Sequence, residues 1–199
     1  MFSRLQREFF AQPTLMVASA LLGTRLVRLQ EGQRIAGRII EAEAYIGESD
    51  LGCHAHAGRT PRTAVMYGPP GFAYVYFTYG MHWMLNFVTE AEGSPAAVLV
   101  RAIQPLEGLE IIAARRKGRP QAEWTDGPAM ICQALRIDGR LNGTDLCAPD
   151  SELFVEDGPP IPDECVTIGP RVGLNSVPEP WRSIPWRFKF TADIAKYAE

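Results

Sequence analysis

Apolar residues along the chain recur with two periods, and the points where the period changes divide it into helices and strands. Near the N-terminus Leu15, Ala18, Leu21 and Leu22 fall on one helical stripe, behind a Pro13 that a first turn tolerates, and Gly23-Thr24 closes the segment. The period then drops to two. Residues 25–29 and 34–46 read as strands around a turn at Glu31-Gly32, and residues 72–79 and 82–89, rich in Tyr, Phe and Val, pair as a hairpin about Tyr79-Gly80. Residues 96–103 form another apolar strand, interrupted by one arginine, Arg101. Helical spacing returns at 106–117 and 126–136, the second with Pro128 near its first turn and Asp126 available as a cap. Short strands are expected at 152–156, 165–168 and 186–190, between proline-rich turns. Residues 47–71 form a long loop of Gly, Pro, Thr and His, and a loop of that length in a compact domain is expected to carry function. No repeat or linker divides residues 1–199, so the pattern predicts one α+β domain, mainly an antiparallel curved β-sheet with surrounding helices.

Composition narrows the class. With 199 residues, 46% of them hydrophobic, the chain can bury a real core. Eighteen Gly and sixteen Pro without a repeating period exclude collagen, and no apolar run reaches the length of a membrane span. The N-terminus, with Arg4 and Arg7, is charged too early for the apolar segment of a signal peptide, so a cytoplasmic protein is expected. Cys53, Cys132, Cys147 and Cys165 form no CxxC pair and read as reduced thiols, which leaves the Asn142-Gly143-Thr144 sequon without weight. The net charge of −3 argues against a nucleic-acid partner until its distribution is considered. Residues 141–170 hold seven acids and no Lys or Arg, so the rest of the chain is net positive, almost entirely through arginine, whose fork of donors suits phosphate. A solvated acidic face beside a compositional arginine excess would give the same count.

The chemistry concentrates in three places. In an extended Ile39–Tyr45, the side chains of Glu41, Glu43 and Tyr45 share one face, and Ile40, Ala42 and Ala44 share the other. Two carboxylates and a phenol leading into the long loop resemble a pocket rim, and a desolvated carboxylate is a candidate general base. A glutamate paired with Arg38 or Arg101 on a wet face is the plainer account. Cys53-His54-Ala55-His56 offers too few ligands for a tetrahedral zinc site, and its two histidines share a face only if the segment is extended. Tyr74, Tyr76, Tyr79, His82 and Trp83 make the hairpin dense in planar side chains, which either pack within a sheet or stack on bases, with Tyr79 at the tip as a possible wedge into a duplex. The cluster Arg115-Arg116-Lys117-Gly118-Arg119 reads first as a solvated helix end.

Taken together, these residues resemble the alkyladenine (3-methyladenine) DNA glycosylase family, of the type shared by mammals and many bacteria. The resemblance runs through Phe9-Phe10, Leu21-Leu22-Gly23, Ile40 to Tyr45, His54, Tyr74-Val75-Tyr76, Tyr79-Gly80-Met81, Asn86, Val100-Arg101-Ala102 and Pro105 to Gly108. It continues through Gly127-Pro128, Cys132 to Leu135 and Arg171-Val172-Gly173 to Trp186-Arg187-Phe188, spanning about residues 7 to 190. Two departures stand out: Arg62-Thr63 where the family commonly has Arg-Asn, and no long polar N-terminal extension like that of mammalian members.

The resemblance implies a set of roles. Glu43 corresponds to the general base that activates the water attacking C1′, and Arg101 to the arginine near that water and the flipped nucleotide's phosphate. The Arg171-Val172 segment corresponds to the loop whose backbone carbonyl, at Val172, helps orient the water. Tyr45, His54 and Tyr76 correspond to residues that stack on or hydrogen-bond to the extruded base, with Tyr74 and Glu41 behind them. Tyr79 corresponds to the intercalating side chain, and Asn86 to the residue that helps exclude the exocyclic amine of guanine. The implied partner is double-stranded DNA carrying damaged purines, bound by a monomer that needs no metal and no cofactor and works in the cytoplasm at the nucleoid. The implied reaction is monofunctional release of 3-methyladenine, with hypoxanthine and ethenoadenine as further lesions. Lys117, Lys189 and Lys196 are the only amines for a Schiff base, and none lies in the pocket segments. The competing classes are a damage-recognition protein without turnover and a metal hydrolase or deaminase using the Cys53/His54/His56 group, although a deaminase's paired cysteines are missing.

Overall fold

The computed structural model describes residues 2–191. Its helices and strands follow the two periods closely. Helix α1 spans Arg7–Phe10 and α2 spans Thr14–Ala20, the latter entered through Pro13 and closed where the Thr24 hydroxyl donates to the Leu21 carbonyl at 2.6 Å. Strands β1 (Arg25–Gln30) and β2 (Gln33–Ile46) pair antiparallel, and β3 (Ala73–Thr78) and β4 (His82–Val88) form the expected hairpin. Strand β5 runs from Ala96 to Glu107, four residues beyond its apolar core, so helix α3 is confined to Leu109–Arg115. Helix α4, Pro128–Leu135, has proline at its start as expected, but Gly127 is its N-cap and Asp126 does not cap it. Strands β6 (Leu153–Glu156), β7 (Val166–Gly169) and β8 (Arg187–Phe190) complete an eight-stranded sheet.

All pairings are antiparallel. The order is β3-β4-β5-β2-β1-β6, and β8 joins β2 with β7 on its other side. The fold is therefore the α+β class that the pattern predicts. The main core lies between the sheet and its helices, where Val17 and Ala18 from α2, Leu21 at its C-cap, and Ile131 and Leu135 from α4 meet Ile39, Val98, Val100 and Phe87. On the other face, residues 47–71 fold into two short 3-10 turns (His54–Ala57 and Ala64–Tyr67) over a smaller apolar cluster of Cys53, Met66, Tyr74, Val88 and Ala97.

One irregularity decides which face the glutamates occupy. Ile39 pairs with Ile103 and Glu41 with Ala102, so Ile40 has no partner on β5; one step later Ala42 pairs with Val100 and Arg101 is the unmatched residue. The bulge reverses the alternation of β2. Before it Ile35 and Ile39 point into the helical core; after it Ala42 and Ala44 do. Without the extra residue Glu41 and Glu43 would share the core face with Ile39, since a one-residue slip exchanges the faces of a strand. The expectation that Ile40 sits on the apolar face is therefore corrected: Ile39 occupies that position, and Ile40 is only half-buried.

The acidic stretch 141–170 is not a free solvated face. Asp145 pairs with Arg7 at 2.6 Å, Glu152 with Arg28 at 2.9 Å and Glu156 with Arg34 at 2.6 Å, so arginines counted as surplus in the sequence are partly neutralised there. The basic cluster after α3 is also structural in part, because Arg115 donates to the Ala134 carbonyl at 2.8 Å.

The ring of Phe87 is fully buried and meets Phe10 edge-on at 6.0 Å between ring centres. Phe87→Ala should therefore lower the free energy of unfolding by about 3–5 kcal/mol, read as an earlier midpoint in urea denaturation. A loss below ~1 kcal/mol would show that this contact is not part of the rigid core.

Candidate active site

Three segments converge on Glu43, which is completely buried. The backbone N–H of Val172 donates to its Oε1 at 2.7 Å, Arg101 Nε lies 3.3 Å from the same oxygen, and the Tyr45 hydroxyl donates to Oε2 at 2.9 Å. Burial pushes the Glu43 carboxyl above its ordinary pKa, opposed by Arg101, the Val172 amide and the Tyr45 hydroxyl, while neighbouring Glu41 adds to the rise. Its charged form is thus costly yet amply hydrogen-bonded. Burial and Glu43 itself push the Tyr45 phenol well up, so Tyr45 remains a donor at any working pH.

Glu41 is the hub of a second group. Its Oε1 accepts from Arg101 at 3.0 Å and lies 3.4 Å from Arg187, and Lys189 Nζ is 3.3 Å from Oε2. Arg101, not Arg38, is therefore the partner of the glutamates; Arg38 precedes the bulge and is buried in its own setting. Lys189 approaches Glu41 rather than the cavity lining, Lys117 follows α3, and Lys196 lies outside the described residues.

Beside this carboxylate pair opens a cavity of about 300 Å³. Tyr45, His54, Tyr74, Tyr76 and Tyr79 supply its aromatic surface, Asn86 and Arg101 its polar points, and Val172 a further wall. Glu43 contributes none of the wall: Tyr45, Arg101 and Val172, the three groups bonded to it, stand between it and the lumen. His54 packs edge-on to Tyr76 at 4.4 Å between ring centres, and its Nδ1 lies 2.9 Å from the Tyr74 hydroxyl. Asn86, on β4, donates to the Tyr74 carbonyl at 3.1 Å and is held rigidly in the wall.

Tyr79 stands apart from that packing. It is 81% exposed at the hairpin tip, in a three-residue connection (79–81) where Tyr79 (φ 52°) and Gly80 (φ 67°) are both left-handed. A tyrosine in that region is strained and gains nothing from burial. Met81 beside it is 65% exposed.

The cysteine–histidine segment does not form a cluster. Its 3-10 turn separates the two histidines, sending His56 Nδ1 to the Glu48 carbonyl at 3.0 Å while His54 faces Tyr74. Burial pushes the Cys53 thiol up to about 12, and among the described residues no three metal-ligating side chains converge. At the departure Arg62-Thr63, the Thr63 hydroxyl donates to the Gly58 carbonyl at 2.8 Å and accepts from Thr60 N–H at 2.8 Å, holding the loop together.

All the site residues expected from the sequence meet at this one place: Glu41, Glu43, Tyr45, His54, Tyr74, Tyr76, Tyr79, Asn86, Arg101 and Val172. Asp50 and Arg171 are a further, unanticipated pair behind the lining, next to Gly52 and Val172. They form a fully buried ion pair, with Arg171 Nη1 and Nη2 at 2.5 and 2.8 Å from the carboxylate oxygens. Their separation of 121 residues leaves no local pattern that could have paired them.

A carboxylate held at the back of an aromatic cavity, next to an arginine and an exposed hairpin tyrosine, is suited to hydrolysis of a bond to a planar group. The profile of the methylpurine-DNA glycosylase family matches residues 8–193, and the chain belongs to that family. A protein of Methanocella arvoryzae is 50% identical over 185 residues, covering 92% of this chain and 90% of its own, and one of Myxococcus xanthus is 48% identical over 183 residues, covering 92% and 88%. A third, from Streptomyces avermitilis, is 48% identical over 186 residues, covering 92% and 86%. Each is provisionally named a 3-methyladenine DNA glycosylase. The general activity that goes with the family is release of alkylated purines from DNA. Among the described residues no helix is long and apolar enough to cross a membrane.

Burial, with a smaller push from the Arg62 guanidinium, lowers the His54 pKa to about 4. An unfolded histidine binds its proton near 6.5, so the stability tied to neutral His54 is complete above that pH and is lost as pH falls toward 4. Imidazole nitrogen NMR should find His54 neutral at pH 6 and titrating near 4, and the melting temperature of His54→Gln should fall less steeply over that interval. An imidazolium at pH 6 would contradict the assigned environment.

Proposed function

We propose that the protein is a monofunctional DNA glycosylase that withdraws an alkylated or deaminated purine from duplex DNA and hydrolyses its N-glycosidic bond with a water activated by Glu43. The observation that carries this reading is the buried Glu43 carboxylate, bonded to Arg101, Tyr45 and the Val172 amide directly behind an aromatic cavity.

A base cannot be attacked at C1′ while stacked, so it must leave the duplex, at a cost of a few kcal/mol that is least for a damaged or mispaired base. Tyr79 fills the gap: its exposure and left-handed backbone serve a partner outside the chain. The cavity then receives the base against Tyr76, His54 and Tyr45. A cationic base such as 3-methyladenine gains cation–π attraction from these faces and has an already weakened bond. Neutral lesions, hypoxanthine and ethenoadenine, need their leaving group protonated. With Nδ1 engaged by the Tyr74 hydroxyl, neutral His54 offers Nε2 alone to the base, as donor or acceptor according to its tautomer, and Asn86 stands where an added exocyclic amine would meet a fixed wall.

The attacking water must reach a carboxylate that has no open surface. Oε1 is taken by Val172 and Arg101, whereas Oε2 accepts only from the Tyr45 hydroxyl, so its second lone pair is left for the water. Glu43 accepts the water's proton and its charge stabilises the developing oxocarbenium ion, while the Val172 carbonyl holds the water's second hydrogen. Arg101 keeps Glu43 ionised against burial and faces the nucleotide's phosphate. The reaction balances without a metal or cofactor: water adds its hydroxyl to C1′, and its proton leaves on a neutral base such as hypoxanthine, whereas a cationic base departs neutral and the proton passes from Glu43 to solvent. An amine attack is not part of this scheme, since Lys189 is engaged by Glu41. The protein acts as a monomer on double-stranded DNA, in the cytoplasm at the nucleoid.

Single-turnover excision in EDTA, from duplexes holding hypoxanthine or ethenoadenine and from alkylated DNA, tests this directly. Wild type should release base and leave alkali-labile abasic sites, and Glu43→Gln should be slower by about a hundredfold or more with lesion binding retained. Tight lesion binding without release from any substrate would instead favour a recognition protein. Tyr79→Ser should weaken lesion-duplex affinity by about tenfold, the worth of one aromatic stack; unchanged affinity would remove Tyr79 from the interface.

A further inference from the structure

The loop that carries Val172 is tied to the segment after β2 by the Asp50–Arg171 ion pair, and neither member bonds to Glu43. Besides its fork on Asp50, Arg171 donates through Nη1 to the Ala44 carbonyl at 3.0 Å and through Nη2 to the Trp181 carbonyl at 3.3 Å. Its guanidinium carbon lies 4.6 Å from the centre of the Tyr45 ring and 5.1 Å from that of Trp186. The Asp50 oxygens accept in addition from the N–H groups of Ile46 at 3.2 Å and Gly52 at 2.9 Å. One side chain thus touches the two residues next after Glu43, Ala44 and Tyr45, and it immediately precedes the residue whose amide caps Glu43 Oε1.

Removing two charges completely from water is favourable only when nearly every hydrogen bond is made, and apolar residues of similar size commonly stabilise such a place as well or better. What they lack is direction. A guanidinium–carboxylate fork fixes angles as well as distances. We propose that the Asp50–Arg171 pair is a positioning clamp for Glu43, fixing the Val172 amide on Oε1 and the Tyr45 ring whose hydroxyl holds Oε2. The clamp touches no substrate; it rests on Glu43 acting as the base.

Glu43 faces Arg101 from β5, Tyr45 and Glu41 from its own strand, Arg187 opposite it on β8, the Val172 amide, and the more distant Tyr76 hydroxyl. The Val172 and Tyr45 bonds both oppose the rise that burial imposes on Glu43. Loosening the clamp weakens both bonds, so the carboxylate takes its proton at higher pH, and the acid limb of excision moves upward.

Two variants disturb the clamp in different ways. Arg171→Lys keeps the charge and loses the fork. Gly52→Ala keeps both charged residues but places a methyl 2.8 Å from Arg171 Nη2 and 2.7 Å from the Leu174 side chain, which must shift. Each is checked for folding by thermal melting, and Gly52→Ala carries the test if Arg171→Lys does not fold. Single-turnover excision of the lesion that wild type releases fastest is followed from pH 5 to 9, with lesion-duplex affinity measured alongside. We expect an excision rate lower by about tenfold or more at neutral pH, an acid limb moved up by roughly half a pH unit or more, and affinity within about threefold of wild type. A folded variant whose acid limb coincides with that of wild type, whatever its rate, overturns the clamp and leaves the pair a structural tie. Glu43→Gln excising as fast as wild type strikes instead at the base assignment beneath it, and that failure shows without either clamp variant.

Discussion

Glu43 is a carboxylate with no exposed surface, and the cost of keeping it there shapes the rest of the site. An ionised carboxylate taken out of water loses far more than one hydrogen bond returns. Here the return comes from three directions: the Val172 amide, Arg101 and the Tyr45 hydroxyl. None of the three is local to the others. Arg101 arrives on the neighbouring strand, and Val172 on a loop that the Asp50–Arg171 pair holds against β2. The apolar floor and helical core supply the rigidity that lets these donors stay aligned, because a close-packed interior does not relax continuously.

The bulge in β2 connects fold to chemistry. It puts Ile39, Ala42 and Ala44 into the core while turning Glu41, Glu43 and Tyr45 to the cavity side, and the compensating irregularity at Arg101 brings the guanidinium against both carboxylates. The β3–β4 hairpin performs the complementary task. Its inner tyrosines, Tyr74 and Tyr76, pack against His54 and each other, and its tip residue Tyr79 is exposed. Exposed strain at that tip is the counterpart of buried charge at Glu43: both are unfavourable in the isolated protein.

Much of this was legible in the sequence where the signal is local. Alternation gave β1, β2 and the hairpin almost to the residue, and the i, i+2, i+4 relation of Glu41, Glu43 and Tyr45 correctly placed them on one face. Alternation could not show that the face changes at Ile40, because a bulge leaves no mark in composition. It likewise could not pair Asp50 with Arg171 across 121 residues, nor show that acids of 141–170 are matched by Arg7, Arg28 and Arg34. Asp126, chemically a good cap, was displaced by Gly127. The order of chemistry along the chain was therefore readable, and the contacts that set its strength were tertiary.

The proposed base chemistry requires Glu43 to be ionised at neutral pH although burial raises its pKa. Carbon-13 NMR of side-chain-labelled glutamate, with Glu43→Gln to assign the resonance, measures that state without substrate. The account predicts a carboxyl signal that is ionised at pH 7 and takes its proton at a pH above that of exposed glutamates in the same spectrum. A signal that titrates at or below theirs, or that is still protonated at pH 8, contradicts it.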